Sequence, residues 1–218
     1  MIDGSFTLKR NKKTVKIILV GSSISGLGKT QLCELLFGSF EGFSALKVTT
    51  VRHNHIHHSF REGFSRASRT LSEGFHIEDD PLVLMEKDKD TDRYIRAGAV
   101  RALWLTAAPD YVHEGLMEAL DHFDSGSVLV IEGNSPLLHL AREGFSPLVV
   151  FISATDGSIK ESAREVQRRA HMIVPAGEGD YLLPVSDVQR LYHPFSIDGR
   201  RGFLQEISRW CGVTPRIR

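Results

Sequence analysis

The most constraining feature of this chain is a single junction near its start. Val15 to Val20 is a nearly continuous apolar, β-branched run broken only by Lys16, and it leads into Gly21-Ser22-Ser23-Ile24-Ser25-Gly26-Leu27-Gly28-Lys29-Thr30. Leu32, Leu35 and Leu36 then repeat at helical spacing through Phe37. A strand, a Gly/Ser loop ending in Gly-Lys-Thr, and a helix make the framework of a phosphate-binding P-loop. Gly26 and Gly28 permit backbone conformations that let successive amide N–H groups converge on phosphate oxygens. The start of the helix adds the positive end of its dipole. Lys29 supplies a full charge for β and γ phosphates, and the Thr30 hydroxyl is placed to hold magnesium. The candidate phosphate-binding residues are therefore Ser25, Gly26, Leu27, Gly28, Lys29, Thr30 and Gln31. One departure from G-x-x-x-x-G-K-S/T is Ser23 in place of the first Gly, which a serine at negative φ can fill. The alternative is a chance Gly-Lys-Thr at a helix start.

The remaining pattern agrees with that framework. Short apolar runs at Leu46 to Val51, Val100 to Thr106, Val128 to Ile131, Pro147 to Ile152 and His171 to Val174 alternate with amphipathic stretches at Tyr111 to Phe123, Ser158 to Ala170 and Arg201 to Trp210. That alternation predicts an α/β fold, a three-layer P-loop NTPase with a mostly parallel central sheet and helices on both faces. A length of 218 residues fits one such nucleotide-binding domain over 1–218. Between Arg52 and Lys89 the pattern fails, and a long loop excursion is expected. Arg52 to Arg69 is basic and His-rich, whereas Glu73 to Asp92 is strongly acidic. Glu-Gly-Phe-Ser at Glu41, Glu62 and Glu143, with Glu-Gly-Phe-His at Glu73, recurs at irregular intervals and reads as turn chemistry.

Twenty-seven Lys plus Arg against 27 Asp plus Glu leave no net charge, which argues against electrostatic capture of nucleic acid or an anionic membrane. Cys33 and Cys211 are the two cysteines, far apart and without CxxC spacing, so a disulfide framework or cysteine zinc site is not expected. No stretch approaches the ~18 apolar residues of a membrane span, and Met1 to Lys13 lacks the apolar centre of a signal peptide. A reducing cytoplasm is the expected location.

P-loop chemistry also requires an acid at the end of another buried strand. Val128-Leu129-Val130-Ile131-Glu132-Gly133 supplies Glu132, a magnesium partner through water or otherwise a solvated loop acid. Asp90 or Thr91 can cap a short helix through Tyr94 to Ala97 that stops at Gly98; Asp90 can equally face phosphate and magnesium. Lys89 reads as solvated more than phosphate-bound. His53, His55 and His57 would share one face of an extended strand, so transition-metal binding stands beside a solvated histidine loop. Arg52 and His53 are the stronger candidates for phosphate or substrate contact. For base reading, Ser153-Ala154-Thr155-Asp156 places Asp156 where guanine-reading loops carry their Asp, without the Asn and Lys; Asp187 is a second candidate. Asp156 can instead cap the following helix.

Taken together, Gly26 to Thr30, Arg52-His53-Asn54-His55, Lys89-Asp90-Thr91 with Ala97-Gly98-Ala99, and Ile131-Glu132-Gly133 resemble the molybdopterin-guanine dinucleotide biosynthesis protein B (MobB) family. Looser matches follow at Asp156-Gly157 and Val185-Ser186-Asp187, so the resemblance spans residues 15 to 190. It implies a SIMIBI-class P-loop fold and a homodimer that binds GTP, with ATP possible, together with Mg2+. It also implies a weak GTPase that assists a molybdenum cofactor guanylyltransferase. In that setting Lys29, Glu132 and Asp90 would be the catalytic residues, and Thr30 and Glu132 the metal residues. Ile24 stands where the deviant Walker A ATPases carry a signature lysine, which disfavours the partition and septum-site branch. A small-molecule kinase and a non-catalytic metal-delivery or adaptor protein are the competing readings.

Overall fold

A computed structural model describes residues 14–51, 74–177 and 189–216. The described strands form one eight-stranded sheet in the order β3-β4-β2-β5-β1-β6-β7-β8. These are β1 (Lys16–Ser22), β2 (Phe43–Thr50), β3 (Phe75–Glu78), β4 (Ala102–Ala107), β5 (Val128–Glu132), β6 (Leu148–Ala154), β7 (Met172–Ala176) and β8 (Arg190–Leu191). All neighbours pair in parallel except β3, which runs antiparallel to β4 at one edge.

Helices cover both faces, which is why the central strands read as unbroken apolar runs. Along β1, Ile17 and Leu19 face one core and Ile18 and Val20 the other, and β5 and β6 alternate in the same way. The first core holds α4 (Val112–Asp121), α5 (Pro136–Arg142) and α6 (Glu161–Arg168), through Leu116, Leu120, Leu137, Leu140, Ala163 and Val166. The second holds α1 (Lys29–Ser39), α3 (Asp90–Ala97) and α7 (Ile197–Cys211), through Leu32, Leu36, Phe37, Tyr94, Phe203 and Ile207. The expected three-layer α/β architecture, a mostly parallel central sheet with helices on both faces, is the one observed. Cys33 and Cys211 are buried free thiols.

Several expectations need correction. From Gly74 onward the acidic segment is not a patternless excursion: it forms β3 and a one-turn helix α2 (Pro81–Leu84). Phe75 and Ile77 pack against the first core, but two apolar anchors among acids are too few to read as a strand. Residues 52–73, with Arg52, the His53 to His58 cluster and the Glu62 tetrapeptide, lie outside the described residues, as does Asp187. In the other three copies of the tetrapeptide, Gly42, Gly74 and Gly144 all adopt positive φ, the turn chemistry expected. β1 runs two residues beyond Val20 because Gly21 and Ser22 still pair with Phe151 and Ile152 of β6. Helix α5 escaped the sequence pattern; it starts with Pro136 in its first turn.

Connections leave β1 and β5 in opposite directions: α1 carries the chain to β2 on one side, and α5 carries it over β1 to β6 on the other. The C-terminal end of β1 is thus a topological switch point, where open α/β sheets hold their ligands.

Burial also sets an acid limit on stability. His139, on α5, is held below its ordinary value of 6.5 by burial, then by His113 and Arg142; His171 is lowered by burial. The unfolded chain therefore takes up protons that the folded chain refuses as pH falls below about 6.5, so stability declines through that range and levels off below the folded-state values. Thermal melts from about pH 7.5 to about pH 5, across the histidine range, should show this decline. His139→Gln should flatten part of it, and a pH-independent melt would contradict the assignment.

Candidate functional site

The loop between β1 and α1 is tied down by its own serines. Ser23 is fully buried; its N–H donates to the Ile152 carbonyl (2.9 Å) and its Oγ accepts from the Ala154 N–H (2.9 Å). It does not take positive φ, so a serine serves where the motif usually has Gly. Ser22 Oγ donates to the Ile24 carbonyl (2.7 Å) and accepts from Lys29 Nζ (3.0 Å), folding the lysine over the loop. Asn134, just after β5, braces the same turn: its Oδ1 accepts from the Ser22 N–H (3.0 Å) and its Nδ2 donates to the Ser22 carbonyl (2.9 Å). A Cβ on Gly21 would meet Asn134 Oδ1 and Val166 at 2.7 Å, so this close approach requires glycine.

Gly26 and Gly28 both sit in the left-handed region, at φ 82° and 91°. Gly28 is the N-cap of α1, no side chain caps that end, and its first turn carries no acid. The opening N–H groups of α1 thus keep their capacity for an anion.

Facing the loop is a cleft of about 420 Å³ lined by Gly26, Gly28, Gln31, Lys29, Thr30 and Glu132, and also by Lys47, Asp90 and Arg93. Thr30 Oγ1 lies 3.0 Å from Asp90 Oδ1 and 3.2 Å from Glu132 Oε2. One hydroxyl proton can satisfy only one of these carboxylates. Both separations are close to the edge of a magnesium octahedron, ~3.0 Å for metal–oxygen bonds of ~2.1 Å. This all-oxygen set fits a hard divalent cation completed by phosphate and water. Among the described residues no three His, Cys, Asp or Glu side chains converge into a metal group; the oxygens gathered here are two carboxylates and one hydroxyl.

Lys47 and Tyr94 hold the two acids, and Arg93 holds the helix that carries one of them. Lys47, on β2, forms an ion pair with Asp90 Oδ2 and stands level with Glu132 in the parallel pairing of β2 with β5. Burial lowers the Lys47 ammonium below its ordinary value, against the pull of Glu132. The Tyr94 hydroxyl donates to Glu132 Oε2. Burial first, then the neighbouring Cys33 and Glu132, pushes the Tyr94 phenol well above its ordinary value, so it remains a donor. Arg93 grips Glu34 of α1 with two hydrogen bonds, at 2.9 and 2.6 Å. Helix α3 therefore carries Asp90 and Tyr94 one turn apart on one face and is clamped to α1 by the residue between them.

Among the expected residues, Lys29, Thr30, Glu132 and Asp90 converge, together with Gly26, Gly28 and Gln31. Ser25 sits beside them on the loop, its Oγ accepting from Lys160 Nζ (2.6 Å), while Leu27 packs toward the second core. Asp90 is not the helix cap: Lys89 holds the N-cap position without a side-chain bond, and Thr91 Oγ1 donates to the Leu84 carbonyl (2.7 Å). Lys89 is not solvated either. It pairs with Glu86 (2.5 Å), donates to the Val83 carbonyl (3.3 Å) and lies over the Trp104 ring. Asp156 is exposed on the β6–α6 loop and caps a turn by accepting from the Ser158 N–H (2.9 Å); the N-cap of α6 is Lys160. It is not among the cleft-lining residues. Lys47, Arg93, Tyr94 and Asn134 were not singled out from sequence; a lone Lys inside an apolar strand was the available signal for the first.

Tyr94→Phe should leave the fold intact but remove the one donor on Glu132, besides Thr30, among the described residues. A hydrogen bond to a charged, buried group contributes about 1.5–3 kcal/mol. Chemical denaturation should show a loss of that size, and an unchanged midpoint would remove Tyr94 from the network.

No helix among the described residues is long and apolar enough to cross a membrane. No protein-family model matches the chain, and no curated protein matches it. Among solved structures, the chain is similar to LpxK from Aquifex aeolicus in complex with ATP, at 15% identity and a TM-score of 0.42, covering 92% of this chain and 69% of that one.

Proposed function

We propose that the chain binds a nucleoside triphosphate with magnesium and transfers its γ-phosphoryl group. The observation that carries this reading is the convergence of Thr30, Asp90 and Glu132 beside Lys29 at the uncapped start of α1. The amides from Gly26 to Thr30 would cradle the polyphosphate, and Lys29 would neutralise its β and γ oxygens. Thr30, Asp90 and Glu132 would hold the magnesium, which when bound draws charge from the phosphate oxygens. Asp90, oriented by Lys47, would accept a hydrogen bond from the attacking hydroxyl or water.

The resemblance to the MobB family directs this chemistry toward slow GTP hydrolysis in a cytoplasmic homodimer that assists guanylylation of the molybdenum cofactor. Asp156, Arg52 and His53 would then contact the nucleotide. A small-molecule kinase is the second reading, and the observation favouring it is Asp90 paired with Lys47 in the cleft in front of the loop, a base and a cation for an acceptor hydroxyl.

Calorimetric titration with GTP and with ATP, each with magnesium and with EDTA, tests the common core. Saturable binding that EDTA weakens is expected; its absence would end the proposal. Phosphate release without acceptor, and binding to a molybdenum cofactor guanylyltransferase, support the first reading. Phosphorylation of a compound in a metabolite extract supports the second.

A further inference from the structure

At the other end of the sheet, around the start of β6, lies a second cavity of about 650 Å³. That volume is within the ~300–1,000 Å³ of small-molecule sites. Helix α5, the end of α6, the segment before β6, and α7 line it, and it is open to solvent on one side. Leu137, Phe145 and Pro147 give it an apolar floor, and Trp210 a flat aromatic wall.

The charged side chains that line it are cationic, and Ser146 adds a hydroxyl that can donate or accept. The Val149 N–H donates to His171 Nδ1 (3.0 Å), which assigns the proton of the neutral ring to Nε2 and leaves that nitrogen a donor. Arg168 and Arg169 also line the cavity. Both hydrogen-bond Glu165, Arg169 through Nε at 2.6 Å, but one carboxylate against two guanidinium groups leaves one positive charge and several N–H donors. Among the described residues no Asp or Glu lines the cavity. An occupant must therefore bring acceptors and negative charge at one end and apolar, preferably flat, surface at the other.

We infer that this cavity binds a small amphiphilic anion, its apolar body on Leu137, Phe145 and Trp210 and its carboxylate or sulfonate head between Arg168, Arg169 and His171. The inference does not depend on the nucleotide reading, because no residue is shared between the two clefts.

The test uses the full chain and anilinonaphthalene sulfonate, a planar aromatic anion. One-site saturable binding with quenching of tryptophan emission is expected, and Trp210→Phe should remove most of the quenching. Octanoate should compete and octylammonium should not. The double variant Arg168→Gln/Arg169→Gln changes two exposed side chains, so its melt should stay close to that of the parent. It should bind the probe about tenfold or more weakly, the loss of charge-assisted bonds to the head group. Absence of saturable binding, equal competition by octylammonium, or unchanged affinity in the double variant would each overturn the site.

Discussion

Lys29→Ala should weaken nucleoside triphosphate affinity by about a hundred- to a thousandfold and leave the fold almost untouched. In the structure Lys29 Nζ donates to the Ser22 hydroxyl, so the ammonium is already held over the loop. Its counter-charge would come from the ligand. Deleting one partner of such a hydrogen-bonded charge pair costs roughly 3–4 kcal/mol, and ~1.4 kcal/mol corresponds to a decade of affinity. The same deletion removes one part-buried, charge-assisted hydrogen bond from the folded chain, worth about 1.5 kcal/mol. Calorimetry and thermal melts of the variant beside the parent separate the two effects. Equal affinity for the triphosphate in both proteins would show that the loop is not a phosphate cradle.

What could be read without coordinates follows from how far each interaction reaches. β1, β5 and β6 were legible because both faces of each strand are buried under helices, so local composition alone marks them. The phosphate loop was legible because its donors are consecutive. Asp90 was ambiguous because a carboxylate at a helix start has a sufficient local explanation, and only the packing of α3 on α1 turns it toward Thr30 and Lys47. Lys47 owes its role to the parallel register that sets it beside Glu132, a relation across many residues that no periodicity reveals. Tyr94 and Asn134 act through contacts of the same long range. Lys89 looked solvated because its partners are Val83, in a one-turn helix hidden in an acidic stretch, and Glu86, just after that helix.

Lys47→Met should make the stability of the protein depend on magnesium. Methionine preserves the length and apolar stem of the side chain, so the substitution chiefly removes charge. With the ammonium gone, Asp90 and Glu132 stand on either side of the Thr30 hydroxyl, and the cations left lining the cleft among the described residues are Lys29 and Arg93, the latter already paired with Glu34. Breaking a fully buried ion pair costs ~3–5 kcal/mol. Lys47 and Asp90 side chains are 22% and 27% exposed, and solvent screening reduces this to about 2 kcal/mol. For a chain of this size that is a fall of ~4–8 °C in Tm when melts are run in EDTA. Excess magnesium should recover most of the fall, because a divalent ion between the two carboxylates replaces the missing charge and stabilises the state that binds it. The parent should gain less, since Lys47 already balances Asp90 and opposes a second cation. Identical melts for parent and variant in EDTA would mean that the ion pair contributes nothing. An equal rise for both on adding magnesium would mean that Thr30, Asp90 and Glu132 do not form the cation site.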